Sequence, residues 1–164
     1  MKNVRTLSRG GLAASAVALY MSAAQAVAAP ASPNNAAIKE EAEAYVFDCD
    51  ETFAKDCEDL RSGFLRDYIR ARHGSYQGQR NVAFMLSGGW QSAPIVKNQI
   101  QACAWRYVII QSAHAEADVT DSANLRLDCG KLDEADRLAA VARGNEILRQ
   151  IAALAPKPKA SGRR

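Results

Sequence analysis

The sequence predicts an all-α domain, on three observations. Nearly every long segment spaces its apolar residues three and four positions apart, which places them on one side of a helix. Strand patterns are almost absent, since the one β-branched run, residues 108–110, lies inside a stronger helical pattern. Four cysteines provide candidate cross-links. The predicted architecture is therefore a short stack of antiparallel helical hairpins stabilised by two disulfides.

The first 26 residues have the composition of a secretory signal peptide. Lys2, Arg5 and Arg9 precede a short apolar run over residues 11–21, and Ala24-Gln25-Ala26 has the small-x-small form that signal peptidase cleaves. The run is too short to span a bilayer, and no later run approaches the roughly 20 residues that a transmembrane helix needs. We therefore expect cleavage after residue 26, or alternatively after residue 28, and a periplasmic or secreted protein without a transmembrane segment.

Composition divides the expected mature chain into three parts. Residues 27–35 are predicted to be a flexible linker, residues 36–155 the helical domain, and residues 156–164 a disordered basic tail rich in proline and charge. Without the three basic residues of the signal segment, 18 Lys and Arg stand against 18 Asp and Glu. Four of those basic residues lie in the tail. The domain is then mildly acidic and lacks the basic stripe that nucleic acids require, so we expect no nucleic-acid partner.

Stop and cap signals divide the domain into six predicted helices. Gly74 ends the second and Gly88 the third, because glycine tolerates the positive φ found just past a helix. A residue between Asp118 and Asp121 caps the fifth helix, and Asp133 caps the sixth. The segments cover residues 36–48, 57–72, 76–86, about 97–114, 118–129 and 133 onward.

Two of these helices carry distinctive apolar patterns. The fourth is apolar over most of its circumference, which predicts a central place in the stack. Trp105 lies in its middle, with Ile100 and Val108 in reach, and is expected in the core. In the sixth helix, Leu138 and Val141 follow the three-and-four spacing of an apolar face.

Cysteines in an exported chain are expected to form disulfides. Of three possible pairings we favour Cys49–Cys57 with Cys103–Cys129, because each bond then joins neighbouring elements. Eight residues of continuous helix span about 12 Å, whereas bridged Cα atoms lie within about 7 Å, so the first bond requires a break in the helix. The alternative is one long helix with Cys49 bonded elsewhere, for example to Cys103. No CxxC spacing or paired histidine accompanies the thiols, so we expect no metal site.

The sequence carries no recognisable catalytic motif. HExxH, GxSxG, P-loop and dinucleotide fingerprints are absent, and capping of helix ends accounts for the two histidines, His73 and His114. Glu40 and Glu41 are expected on a solvated helix face rather than as a glycosidase pair. We therefore expect a protein that is not an enzyme and requires no cofactor.

One loop and the helices beside it suggest a binding surface. Trp90 is the large apolar residue of a polar loop, where it either packs back on the hairpin or serves as a contact anchor for a partner, and we favour packing. Four residues are expected to rim a concave groove nearby. They are Tyr76, Gln79, Arg80 and Arg106.

A spaced set of residues between positions 71 and 110 carries a family resemblance. The set consists of Ala71, Gly74, Gln79, Val82, Ala83 and Leu86 before a glycine-bearing loop, and of Val96, Asn98, Ala102 and Trp105 after it. This pattern resembles a repeat of the Sel-one-like family, helical hairpins related to tetratricopeptide repeats. Gly78 and the Ile109-Ile110 pair depart from the small residues of that pattern. The seven-residue gap between Cys49 and Cys57 is similar to that of cysteine-rich secreted members, where the bond joins one hairpin to the next.

The resemblance implies a fold and a class of activity. Members mostly act as scaffolds or adaptors that present a helical surface, and some exported cysteine-rich relatives are linked to cell-wall components. We therefore expect a non-catalytic binding or adaptor protein for a protein or cell-envelope ligand. The alternative is a small periplasmic inhibitor of a cell-wall-directed enzyme such as a lysozyme, with residues 90–94 blocking the enzyme's cleft.

Overall fold

Six helices make up the part of the chain that the computed structural model describes, which is residues 34–49, 54–89 and 93–155. They are α1 (Asn35–Glu43), α2 (Ala54–Arg72), α3 (Tyr76–Leu86), α4 (Gln99–Gln111), α5 (Val119–Cys129) and α6 (Glu134–Leu154). The all-α prediction is confirmed. Among α1 to α6, no helix combines the length and the hydrophobicity that a membrane-spanning segment requires. The predicted signal peptide, nearly all of the linker, the basic tail and Trp90 lie outside the described residues.

Helix α4 packs against α3, α5 and α6, while α2 packs against α1 and α3 and also touches α6. Trp105, in the middle of α4, is fully buried. Its ring meets that of Tyr68 from α2 edge to face, with centroids 5.6 Å apart. Such contacts add to the burial of large apolar surface. The predicted central position of the fourth helix, and of Trp105 within the core, is confirmed.

The first helix is shorter than predicted. α1 ends at Glu43, short of the expected end at residue 48. Val46 instead forms an isolated antiparallel β bridge with Ile95, and the backbone N–H of Val96 donates to the carbonyl of Tyr45 at 2.8 Å. The segment before α4 therefore supplies the backbone partners that a continued helix would have supplied.

Both favoured disulfides are present. The Cα atoms are 5.8 Å apart in Cys49–Cys57 and 4.9 Å apart in Cys103–Cys129, which ties α4 to α5. Because α1 has ended before Cys49 and α2 begins at Ala54, the alternative of one continuous helix is wrong. The two disulfides indicate an oxidising compartment.

The apolar face of α6 differs from the predicted one. Leu138 is 65 % exposed and Val141 is 36 % exposed, so neither lies in the core. Gly144 explains the difference, because a Cβ at this position would lie only 2.6 Å from Cδ1 of Tyr107 on α4. Small side chains allow two helix axes to approach closely. Helix α6 therefore turns its small residues toward α4. The buried residues of α6 are Ala140, Gly144 and Ile147.

A single carboxylate joins three helices on the α1 side of the domain. Glu41 accepts hydrogen bonds from the Tyr68 hydroxyl at 2.8 Å and from Arg72 at 2.7 Å, and Arg143 of α6 also donates to it. The expectation that Glu41 is solvated is therefore wrong. Its charge compensates that of Arg72, whose side chain is almost wholly buried. Burial, together with the nearby Glu41 carboxylate, raises the pKa of Tyr68 far above its usual value.

Candidate functional site

A polar cleft of about 270 Å³ opens where α3, α4 and α5 meet. Four of its residues lie on α3 at positions i, i+3, i+4 and i+7, the spacing that places them on one helix face. Helix α4 and helix α5 contribute one residue each. The lining consists of Gln77, Arg80, Asn81, Phe84, Arg106 and Asn124, and we call it the polar cleft.

The opposite face of α3 fixes the orientation of this lining. Gly78 lies against α2, where an added Cβ would come within 2.8 Å of the backbone nitrogen of Ala71. Val82 and Leu86 on the same side are fully buried. Because this apolar side faces the core, the polar side of α3 faces the cleft.

Arg80 is held by two partners behind the cleft. Its Nε lies 3.3 Å from Oδ1 of Asp121, and its Nη1 donates to the Tyr76 hydroxyl at 3.3 Å. The guanidinium carbon lies 5.4 Å from the centroid of the Tyr76 ring. Tyr76 donates in turn to Oδ2 of Asp121 at 2.6 Å, and Asp121 is almost wholly buried. The three side chains form a closed set of contacts that holds Arg80 in one orientation.

The environment of Tyr76 favours the protonated form of its hydroxyl. Burial, followed by the hydrogen bond to the Asp121 carboxylate, raises the pKa of Tyr76 above its ordinary value. The ring also lies 5.2 Å, centroid to centroid, from that of His114. Tyr76 therefore acts as a hydrogen-bond donor and support for Arg80.

Arg106 is anchored in the same manner by a second carboxylate. Its Nε donates to Oδ2 of Asp128 at 3.0 Å, and the two side chains are 5 % and 4 % exposed. Lys131 also reaches Asp128, at 3.2 Å. Asp121 and Asp128 lie seven residues apart on α5, so one face of that helix supplies the carboxylates for both arginines.

This arrangement is suited to binding through hydrogen bonds. The charge of each arginine is balanced by a buried aspartate, while a guanidinium has five N–H donors and needs only some of them for that contact. The amides of Gln77, Asn81 and Asn124 add donors and acceptors, and Phe84 adds an exposed ring. An uncharged ligand with many hydrogen-bond acceptors matches this lining better than a free anion does.

The two histidines do not line the cleft. Nε2 of His73 lies 2.7 Å from Oδ1 of Asn35, and Nε2 of His114 lies 3.0 Å from Oε1 of Gln79. Each therefore connects a helix end to a neighbouring amide. Within residues 34–49, 54–89 and 93–155, no three His, Cys, Asp or Glu side chains are grouped as a metal site.

The structure brings together three of the residues that the sequence singled out. Arg80 and Arg106 both line the cleft, and Tyr76 supports Arg80 from behind. Gln79 is fully buried and donates to the carbonyl of Ala71, so its predicted place at the rim is wrong. Sequence reasoning missed the other lining residues. The i, i+3, i+4, i+7 spacing on α3 is the signal that could have revealed three of them, Gln77, Asn81 and Phe84.

Comparisons of this chain with protein-family models, with curated proteins and with solved structures gave no match. The resemblance to Sel-one-like repeats therefore depends on the spacing of residues 71–110 alone. The all-helical fold with its two disulfides stands independently of that resemblance.

Proposed function

We propose that this protein is an exported, non-catalytic binding protein that holds a protein or cell-envelope ligand in the polar cleft. One observation carries the proposal. Arg80 and Arg106 line the cleft, each anchored by a buried carboxylate of α5, and amide side chains supply the other polar groups there. The ligand chemistry that this lining favours is a dense row of hydrogen-bond acceptors, which a peptide main chain and a glycan strand share.

Anchoring of the arginines supports binding because it reduces the entropy lost when a ligand arrives. An arginine free in solvent loses rotamer freedom on contact, whereas Arg80 and Arg106 are already oriented by Asp121 and Asp128. Arginine and aromatic side chains are also common among the residues that dominate binding energy. Phe84, 39 % exposed at the cleft, adds such a surface.

The helical-repeat resemblance forms part of this proposal. Six of the ten residues of the Sel-one-like pattern fall on α3 and α4, two adjacent helices that pack against each other. A repeat hairpin uses one face for stacking and offers another for binding. The cleft lies on the α5 side of this pair, which fits the use of a repeat surface to hold a ligand.

Photo-crosslinking from inside the cleft tests the proposal. A photoreactive phenylalanine analogue replaces the exposed Gln77 in the exporting host, and a matched control carries it at Arg149, an exposed position on α6. We expect discrete adducts from position 77 only. Adducts that digest with protease identify a protein ligand, and adducts that digest with a muramidase identify a glycan.

Cleft variants decide whether those adducts depend on the proposed chemistry. Asn124→Ala removes a lining amide that makes no described hydrogen bond, and Arg80→Ala removes an anchored guanidinium. Both are expected to reduce adduct yield severalfold while circular dichroism remains helical. Adducts of equal yield in wild type and both variants would contradict the proposal. Stoichiometric inhibition of a purified lysozyme would instead favour the inhibitor alternative.

A further inference from the structure

A second opening lies between α5 and α6 and has a different chemistry. Both helices pack on α4 but not closely on each other, and a groove of about 380 Å³ remains between them. The Cys103–Cys129 disulfide and Tyr107 form part of its floor. This apolar groove shares no lining residue with the polar cleft.

The walls of the apolar groove are aliphatic and extend onto an exposed stripe. Leu125 lines it from α5 and Val141 from α6. Leu138, 65 % exposed, lies three residues before Val141, so the two share a side of α6. A contiguous exposed apolar surface is a mark of a binding groove, and the volume falls within the range of small-ligand sites, about 300–1,000 Å³.

Two arginines flank this apolar surface. Arg126 of α5 and Arg137 of α6 both line the groove, and no acidic residue does. Within the described part of the chain, neither guanidinium forms a salt bridge, although Arg137 donates to the carbonyl of Leu132 at 3.3 Å. The arginines of the polar cleft, in contrast, are both paired with carboxylates. The groove thus combines an apolar bed with two arginines that form no salt bridge to a described residue.

We propose that the apolar groove binds a free fatty acid, with the alkyl chain between α5 and α6 and the carboxylate between Arg126 and Arg137. Charge complementarity selects an anion, and the apolar walls select a hydrocarbon chain. The chain's own C-terminal segment does not fit this chemistry, since residues 156–164 carry four basic residues and no apolar side chain larger than proline.

Isothermal titration calorimetry with dodecanoate, below its micelle concentration, tests this assignment on the purified oxidised protein. We expect saturable binding of one dodecanoate per protein. Dodecyltrimethylammonium has the same chain and the opposite charge, and it should bind at least tenfold more weakly. Lack of saturable dodecanoate binding, or equal affinity for the two surfactants, would overturn the proposal.

Three variants locate the site. Arg126→Gln with Arg137→Gln removes both charges from exposed positions and should weaken dodecanoate binding about tenfold, since exposed ion pairs contribute modestly. Val141→Trp fills the groove and should abolish binding. Arg149→Gln, on an exposed position of the same helix, should leave affinity unchanged. Unchanged affinity in the first two variants would overturn the proposal. So would binding of an acidic amphipathic peptide where dodecanoate fails, which would mark a protein-docking surface.

Discussion

The two sides of α4 differ in how completely they are filled. On the side of α2, Trp105, Tyr68 and Phe64 are fully buried and their rings interlock. On the side of α5 and α6, a groove remains, and Leu138 is largely exposed at its edge. On the α2 side, large side chains fill the space between the helices. On the second side, Gly144 allows α6 to approach α4 closely, and Leu138 and Val141 lie outside the contact while Ile147 is buried.

The two sides are also stabilised by different interactions. The filled side gains from the burial of large apolar surface, at roughly 25 cal/mol per Å², and from the contacts of Glu41 with α2 and α6. The open side depends on the Cys103–Cys129 disulfide and on the buried ion pair between Arg106 and Asp128. A buried ion pair contributes little net stability, although removal of one partner is costly. Because apolar packing on the open side is incomplete, we expect the Cys103–Cys129 cross-link to contribute to the stability of that side.

Truncation of the central tryptophan is expected to have the largest effect. Trp105→Ala should lower the free energy of unfolding by about 3–5 kcal/mol, because it leaves a cavity on the filled side. Urea denaturation followed by circular dichroism measures the loss. Val119→Ala, at a position 85 % exposed, is the control and should change stability by less than about 0.5 kcal/mol. Similar losses in both variants would show that the filled side does not dominate stability.

Removal of each disulfide compares the two cross-links directly. Replacing Cys103 and Cys129 by serine opens a loop of 26 residues and should lower the free energy of unfolding by about 3.5 kcal/mol. Replacing Cys49 and Cys57 opens a loop of 8 residues and should lower it by about 2.5 kcal/mol. Denaturation of each double variant beside the oxidised wild type measures both losses. A larger loss for the shorter loop would contradict the view that the open side relies on its cross-link.

The smallest effect is expected at the edge of the groove. Leu138→Ser should change the free energy of unfolding by less than about 0.5 kcal/mol, because the side chain is mostly in solvent already. Ile147→Ala, at a fully buried position of the same helix, should cost about 2–5 kcal/mol by thermal or chemical denaturation. If Leu138→Ser proved as destabilising as Ile147→Ala, α6 would present the face that its sequence pattern predicted.

Two of the six lining residues of the polar cleft, Arg80 and Arg106, were predicted from the sequence, together with Tyr76 behind them. Tyr76 and Arg80 lie four residues apart, so their contact follows from the geometry of a single helix. Arg106 was placed near them because the helices of a hairpin are adjacent. Asn124 in the cleft and Asp121 behind it were not foreseen, because the approach of α5 to α3 depends on packing between segments far apart in the sequence.

By itself, the sequence determined those features that depend on near neighbours along the chain. Helical spacing of apolar residues predicted the six helices, and Asp118 and Asp133 cap α5 and α6 as expected. The disulfide pairing also followed from the short separation of each pair of cysteines.

Tertiary structure alone decided the end of α1, the buried face of α6 and the role of Glu41. Val46 leaves the helix for a bridge to Ile95, and a glycine rather than a leucine faces α4. Glu41 meets Arg143, 102 residues away in the sequence. In each case the local pattern allowed more than one arrangement. A contact with a distant segment decided between them, because the free energy of that contact exceeds the small differences in local conformational preference.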